Sequence, residues 1–194
     1  MKLVIELSNK NFGNRYFDDP IIAAIRDVND LEDALQSKVS AVFLLTGTLL
    51  NINEIVKQCH GKKYIFLHID LIEGLSSDAG AVRYLAEMVK PDGIISTRNN
   101  VIKHGKELGL YTIQRYFCMD SLSLHTGLKS IEQTNPDAVE LLPGIIPRAV
   151  AYVASQVKKP IITGGMITTK EDVVEALKKG AIAVSTSCKE LWNK

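Results

Sequence analysis

The chain lacks most features that would narrow its class at once. It has three cysteines in 194 residues, Cys59, Cys118 and Cys188. They are odd in number, far apart and outside any C-x-x-C, which argues against a disulfide framework or a cysteine zinc site and fits a reducing compartment. No apolar run approaches the roughly 18 residues a membrane span needs. The opening MKLVIELSNKNFGNR has too short an apolar run for a secretory signal and meets charge at Glu6. A cytoplasmic protein with no membrane partner is expected. An excess of one charge is lacking too, since 23 Lys and Arg against 22 Asp and Glu leave a net charge of +1. Nothing global draws the chain onto phosphate backbones, so any nucleic-acid contact must come from a local patch.

What is present is regular. Apolar, β-branched runs recur along the chain: PIIAAIR (20–26), AVFLLTG (41–47), YIFLHID (64–70), DGIISTR (92–98), YTIQRYF (111–117), AVELLPG (138–144), PIITGG (160–165) and AIAVSTS (181–187). Near-continuous apolar runs bounded by Gly, Pro and Asp mark strands covered on both faces, as in a parallel sheet. Each gap leaves room for one helix. Val82, Leu85, Ala86 and Val89 keep helical spacing, as do Ile146, Ala149, Val150, Val153 and Val157, and Val173, Ala176 and Leu177. Thr168 with Glu171 and Ser187 with Glu190 read as capping boxes, and Gly61, Gly109 and Gly180 as helix stops. Eight strand-helix alternations without a long linker predict one domain over 1–194, a compact (β/α)8 barrel with short helices. A doubly wound open sheet is the competing fold. Residues 1–19 precede the first strand as a leader of undetermined structure.

In such a barrel, function gathers in the loops after the strands, and phosphate is often held after strands 7 and 8. Gly164 and Gly165 follow the seventh run; Ser185, Thr186 and Ser187 end the eighth. Glycine N–H groups can approach a ligand closely, and a following helix N-terminus would aim further donors at the same spot. These five residues are the expected phosphate site. The side chain at Thr186 is a departure, because glycine is common near that position. Tight turning and helix capping are the structural alternatives for the same residues.

Other polar residues fall at strand ends: Arg26, Asp70, Glu73, Arg98, Arg115 and Glu140. Asp70, Arg98, Arg115 and Glu140 are candidates to bind the rest of a ligand, or else form a structural ion-pair layer. His68 is expected to be a hydrogen-bonded core residue. Asp70, Glu73 and Glu140 could in principle hold a divalent ion, but no metal-ligand spacing stands out and no lysine resembles a Schiff-base former. Neither a metal, a cofactor nor a catalytic residue is expected.

The blocks HIDLIEGLSSD (68–78), PDGIISTR (91–98), TIQRYFCMDS (112–121), PDAVELLPGIIP (136–147), PIITGGMI (160–167) and AVSTSCKELW (183–192) resemble the glycerol-3-phosphate-responsive antiterminator family. The likeness runs in order from Pro20 to Trp192 and leaves the first 19 residues uncovered. It implies a non-enzymatic barrel regulator that senses glycerol 3-phosphate and acts on leader mRNA of glycerol-utilisation genes. A barrel enzyme acting on a small phosphorylated polyol or sugar (an isomerase, lyase or phosphodiesterase) is the alternative. RNA contact would fall on the lysine pairs Lys62-Lys63, Lys158-Lys159 and Lys178-Lys179, which precede strands and so lie at the barrel end opposite the phosphate site. Lysines in a helix's last turn also serve its dipole, which is the structural alternative. A homo-oligomer is compatible with the sequence.

Overall fold

Eight strands form where the β-branched runs lie: β1 Ile21–Ile25, β2 Ala41–Leu44, β3 Tyr64–His68, β4 Gly93–Ser96, β5 Tyr111–Phe117, β6 Ala138–Leu142, β7 Ile161–Gly164 and β8 Ala183–Thr186. Each pairs in parallel with the next, and β8 returns to β1 with Ile22 opposite Ser185. The sheet is therefore a closed barrel, and the open-sheet alternative is set aside. The structure, a computed structural model, describes residues 19–193; the leader segment, Asp19 apart, lies outside the described residues.

Seven short helices follow β1 to β7: α1 Leu31–Gln36, α2 Ile52–Cys59, α3 Ala79–Tyr84, α4 Asn99–Glu107, α5 Ser121–Thr134, α6 Pro147–Gln156 and α7 Lys170–Lys178. A π-helical turn, Leu85–Val89, extends α3. Among the described residues, β8 is followed only by a 3-10 turn, Lys189–Leu191. Gly61, Gly109 and Gly180 adopt positive φ just beyond α2, α4 and α7, as helix stops do.

The capping boxes differ from expectation. At α7 the box joins Thr169 to Asp172, one residue later than Thr168 and Glu171. The Asp172 carboxylate accepts from the N–H groups of both Thr168 and Thr169, at 3.0 and 2.9 Å. The Ser187 box does not form, because Thr186 Oγ1 takes the Cys188 N–H at 3.0 Å and Trp192 Nε1 donates to Thr186 O at 2.9 Å. Those bonds set the chain's course before Ser187 can cap anything.

Two apolar layers share the strands. Inside the barrel, Phe43, Phe66, Ile95, Ile113 and Ile162 are fully buried, and the two phenyl rings meet edge to face at 5.6 Å. Val42, Ile65, Ile94, Val139 and Val184 face outward and pack with the helices' apolar stripes. Inward positions repeat every second residue along a strand. One step toward the strand C-termini, the interior layer turns polar at His68, Arg115, Glu140 and Ser185, all buried. That change of composition sets the floor of the barrel mouth.

Candidate functional site

Above this polar layer lies a cavity of about 630 Å3. Glu140 and Arg115 face each other in the β5–β6 register, and the Arg115 Nε donates to the Glu140 carboxylate at 2.6 Å. Glu140 also accepts from Ser185 Oγ at 2.7 Å. Each charge is thus paired and hydrogen-bonded, as burial demands. The Arg115 bond uses Nε alone, leaving the terminal guanidinium N–H groups for other acceptors.

The wall on the β7–β8 side is backbone. Gly165, Met166, Thr186 and Ser187 all line the cavity. Gly165 has φ of 77° and Met166 φ of 62°. A left-handed backbone costs a non-glycine residue about 1–2 kcal/mol, and such strain concentrates at functional sites. Among the described residues, the N–H groups of Gly165, Met166 and Ser187 donate to no turn or side-chain acceptor. The Thr186 hydroxyl donates instead to Ile167 O at 2.7 Å, so the residue that could crowd an anion is turned away. Unpaired N–H groups on adjacent turns form an anion-binding concavity. Arg26, exposed at the end of β1, adds a cation to the lining.

Gly164 has a different part. It lies outside the cavity lining, and a Cβ there would sit 2.1 Å from Ser185 Oγ. Its absent side chain makes room for the Ser185–Glu140 hydrogen bond. Asp70 and Arg98 are likewise not brought to the cavity. Asp70 accepts from the Thr97 N–H and Ser96 Oγ, both at 2.9 Å, and from Ser77 Oγ at 3.1 Å. Arg98 Nε stands 3.4 Å away. Burial works to raise the Asp70 carboxyl, but these hydrogen bonds outweigh it and hold it below the ordinary value. Asp70 therefore staples the β3 loop to the β4 loop. Among the described residues, no three His, Cys, Asp or Glu side chains gather to hold a metal ion, so Asp70, Glu73 and Glu140 do not form the divalent site that spacing alone left open.

His68 is buried in the polar layer, yet its Nδ1 has no hydrogen-bond partner among the described residues, contrary to the expected bonded core histidine. Burial, and then Arg115, push its pKa down to about 4, with Asp70 opposing. The ring is neutral at physiological pH, which keeps a second cation away from Arg115.

Of the six paired lysines, Lys63 donates to Ser37 O at 2.7 Å and Val39 O at 2.6 Å, tying α1's exit to β3. Lys178 meets Glu175 at 3.4 Å. Lys62, Lys158 and Lys179 are exposed and Lys159 is half-buried. Strand periodicity could have placed Arg26 and Phe117 in the mouth, two residues past Ala24 and Arg115. Met166 carried no such signal, because its place depends on the strained turn.

Residues 21–192 match the sequence profile of the family described as Glycerol-3-phosphate responsive antiterminator. A crystal structure of a glycerol uptake operon antiterminator regulatory protein from Listeria monocytogenes aligns at a TM-score of 0.89 and 38% identity, covering 92% of this chain and 97% of that one. A glycerol uptake operon antiterminator-related protein from Thermotoga maritima aligns at 0.78 and 29%, over 89% and 96% of the two chains. The uncharacterized protein YgcP of Escherichia coli is 35% identical over 175 residues, 90% of this chain and 92% of that protein.

Proposed function

Because the chain belongs to the glycerol-3-phosphate responsive antiterminator family, we propose that it binds glycerol 3-phosphate in the barrel mouth and, so loaded, acts on leader mRNA of glycerol-utilisation genes. The effector's phosphate sits against the N–H groups of Gly165, Met166 and Ser187, with Arg26 adding charge from the rim. Its hydroxyls reach down to Arg115 and to the Glu140–Ser185 pair. The single observation that carries this reading is the set of three N–H groups, unpaired among the described residues, lining one cavity above a buried Arg–Glu pair. The names of the Listeria and Thermotoga proteins support the glycerol connection.

Arg115 and Glu140 neutralise each other, and His68 lies below the cavity lining as a neutral ring, which suits recognition of a polyol phosphate better than proton transfer. RNA meets the opposite end of the barrel, where Lys62, Lys158, Lys159 and Lys179 are available.

The test is a titration of labelled leader RNA with and without glycerol 3-phosphate, at two salt concentrations, alongside an assay for effector consumption. Tighter RNA binding with effector, weakening steeply as salt rises and with no turnover, is the expected result. Superimposable curves with and without effector would refute the regulator, and steady consumption of the effector would point to an enzyme.

A further inference from the structure

A second cavity, of about 680 Å3, lies on the outer wall between α5 and α6, toward the strand N-terminal end. Its apolar surface comes from Leu128, Ile131 and Val157. Lys129, Lys158 and Lys159 line it against one acid, Glu132. A fourth lysine stands close by, for Lys106 Nζ donates to the carbonyl of Asn135, another lining residue. Burial, then Lys106, lower the Lys159 pKa, with only Asp137 opposing. Three lysines against one lining acid leave an excess of positive charge, which a bound anion would offset. Tyr152 of α6, 46% exposed, lines the same groove and puts an aromatic ring beside the lysines.

We infer that this groove seats one or two nucleotides of single-stranded RNA, with a base stacked on Tyr152 and phosphates held by Lys129, Lys158 and Lys159. The inference rests on the proposed RNA-directed function and names where that RNA is gripped. The volume suits a molecule of nucleotide size rather than a duplex. Cationic walls beside an aromatic platform are what single strands require, since every base offers a face to stack and every phosphate a charge. His125, Asn135 and Gln156 supply donors and acceptors for base edges.

The groove is also joined to the effector cavity through one strand. Arg115 faces the mouth, while its neighbours on β5 point outward and hold α5. Gln114 Nε2 donates to Ser130 Oγ at 2.9 Å and Thr134 Oγ1 donates to Gln114 Oε1 at 2.5 Å. The Gly127 N–H donates to the Tyr116 hydroxyl at 3.1 Å. Any shift of β5 on loading the mouth would be passed through these bonds to the helix that carries Lys129.

The experiment compares Tyr152→Ala, Lys129→Gln and Lys158→Gln with the unaltered full chain. The readouts are binding of the single-stranded leader RNA in the presence of glycerol 3-phosphate, binding of a fully paired duplex, and calorimetric affinity for glycerol 3-phosphate. Tyr152→Ala should weaken single-strand binding about tenfold or more, the scale of a lost base stack. Each lysine change should lower the salt slope by about 0.7. Effector affinity should stay unchanged, which certifies the fold of these surface variants, and the duplex should bind at least about tenfold more weakly. If the unaltered chain shows effector-dependent RNA binding that the Tyr152 change leaves intact, the groove assignment is overturned alone; equal duplex binding overturns it as well. Absence of effector-dependent binding in the unaltered chain removes the proposed function itself.

Discussion

Arg115 and Glu140 are the charges on which the mouth depends. Both are buried, and each is the other's principal compensation, so removing one leaves an uncompensated ion in the interior. Glu140→Ala should cost about 3–5 kcal/mol in urea unfolding, whereas replacing the pair together by well-packed apolar residues should cost far less stability while abolishing effector binding. His68 makes a separate prediction about pH. Its folded pKa of about 4 lies below the ordinary 6.5. Between those values the unfolded chain takes up a proton that the folded chain refuses, so stability falls as pH drops through that window, by up to about 3 kcal/mol. Urea midpoints measured at pH 7.5 and pH 5 should separate clearly for the unaltered chain and converge for His68→Phe. An equal separation in the variant would show that another group supplies the slope.

At the scale of the elements, β5 and α5 are joined by side-chain hydrogen bonds from Gln114 and Tyr116. Tyr116 holds Gly127 by hydrogen bond, and a Cβ on Gly127 would come 2.1 Å from the tyrosine ring. Glycine in a helix interior is usually unfavourable by about 1 kcal/mol. Here the close approach of helix to strand more than offsets it. Gly127→Ala should therefore destabilise the protein by about 1–3 kcal/mol, despite the better helix former, because the ring or the helix must move. A more stable variant by denaturant unfolding would contradict this account of the packing. The loop between β7 and α7 works in the opposite sense. It spends strain at Met166 and, among the described residues, leaves N–H groups unpaired, a local cost that an anion would offset.

For the whole molecule, the proposed effector site and the proposed RNA groove lie on different surfaces, and coupling between them would demand two states that the effector binds unequally. Binding to the folded state alone raises stability by about 2.7 kcal/mol at a hundredfold excess over the dissociation constant. Glycerol 3-phosphate should accordingly raise the melting temperature, while glycerol, which lacks the charged head, should leave it unmoved. A similar shift with glycerol would place recognition in the polyol and remove the backbone amides from the site. With a near-zero net charge, the proposed RNA affinity must come from a local cluster, and the lysines of the α5–α6 groove form one.

The barrel was legible because parallel strands buried on both faces must be written as contiguous apolar runs, and eight of them left little choice but alternation with helices. The sequence also marked Gly165, Ser187, Arg115 and Glu140 by their positions at strand ends, and these meet at the mouth. It could not separate them from Asp70 and Arg98, which share the same sequence signal, although Asp70 is taken up by hydrogen bonds from the neighbouring loop and Arg98 stands beside it, outside the cavity. It could not foresee that Gly164 serves packing while Gly165 faces the cavity, nor that Thr186 turns its hydroxyl onto Ile167. Local pattern records which face of an element is buried. Only the closed barrel, by setting strands 1, 5, 6, 7 and 8 around one opening and α5 beside α6, decided which polar groups find partners within the protein and which are left to hold something else.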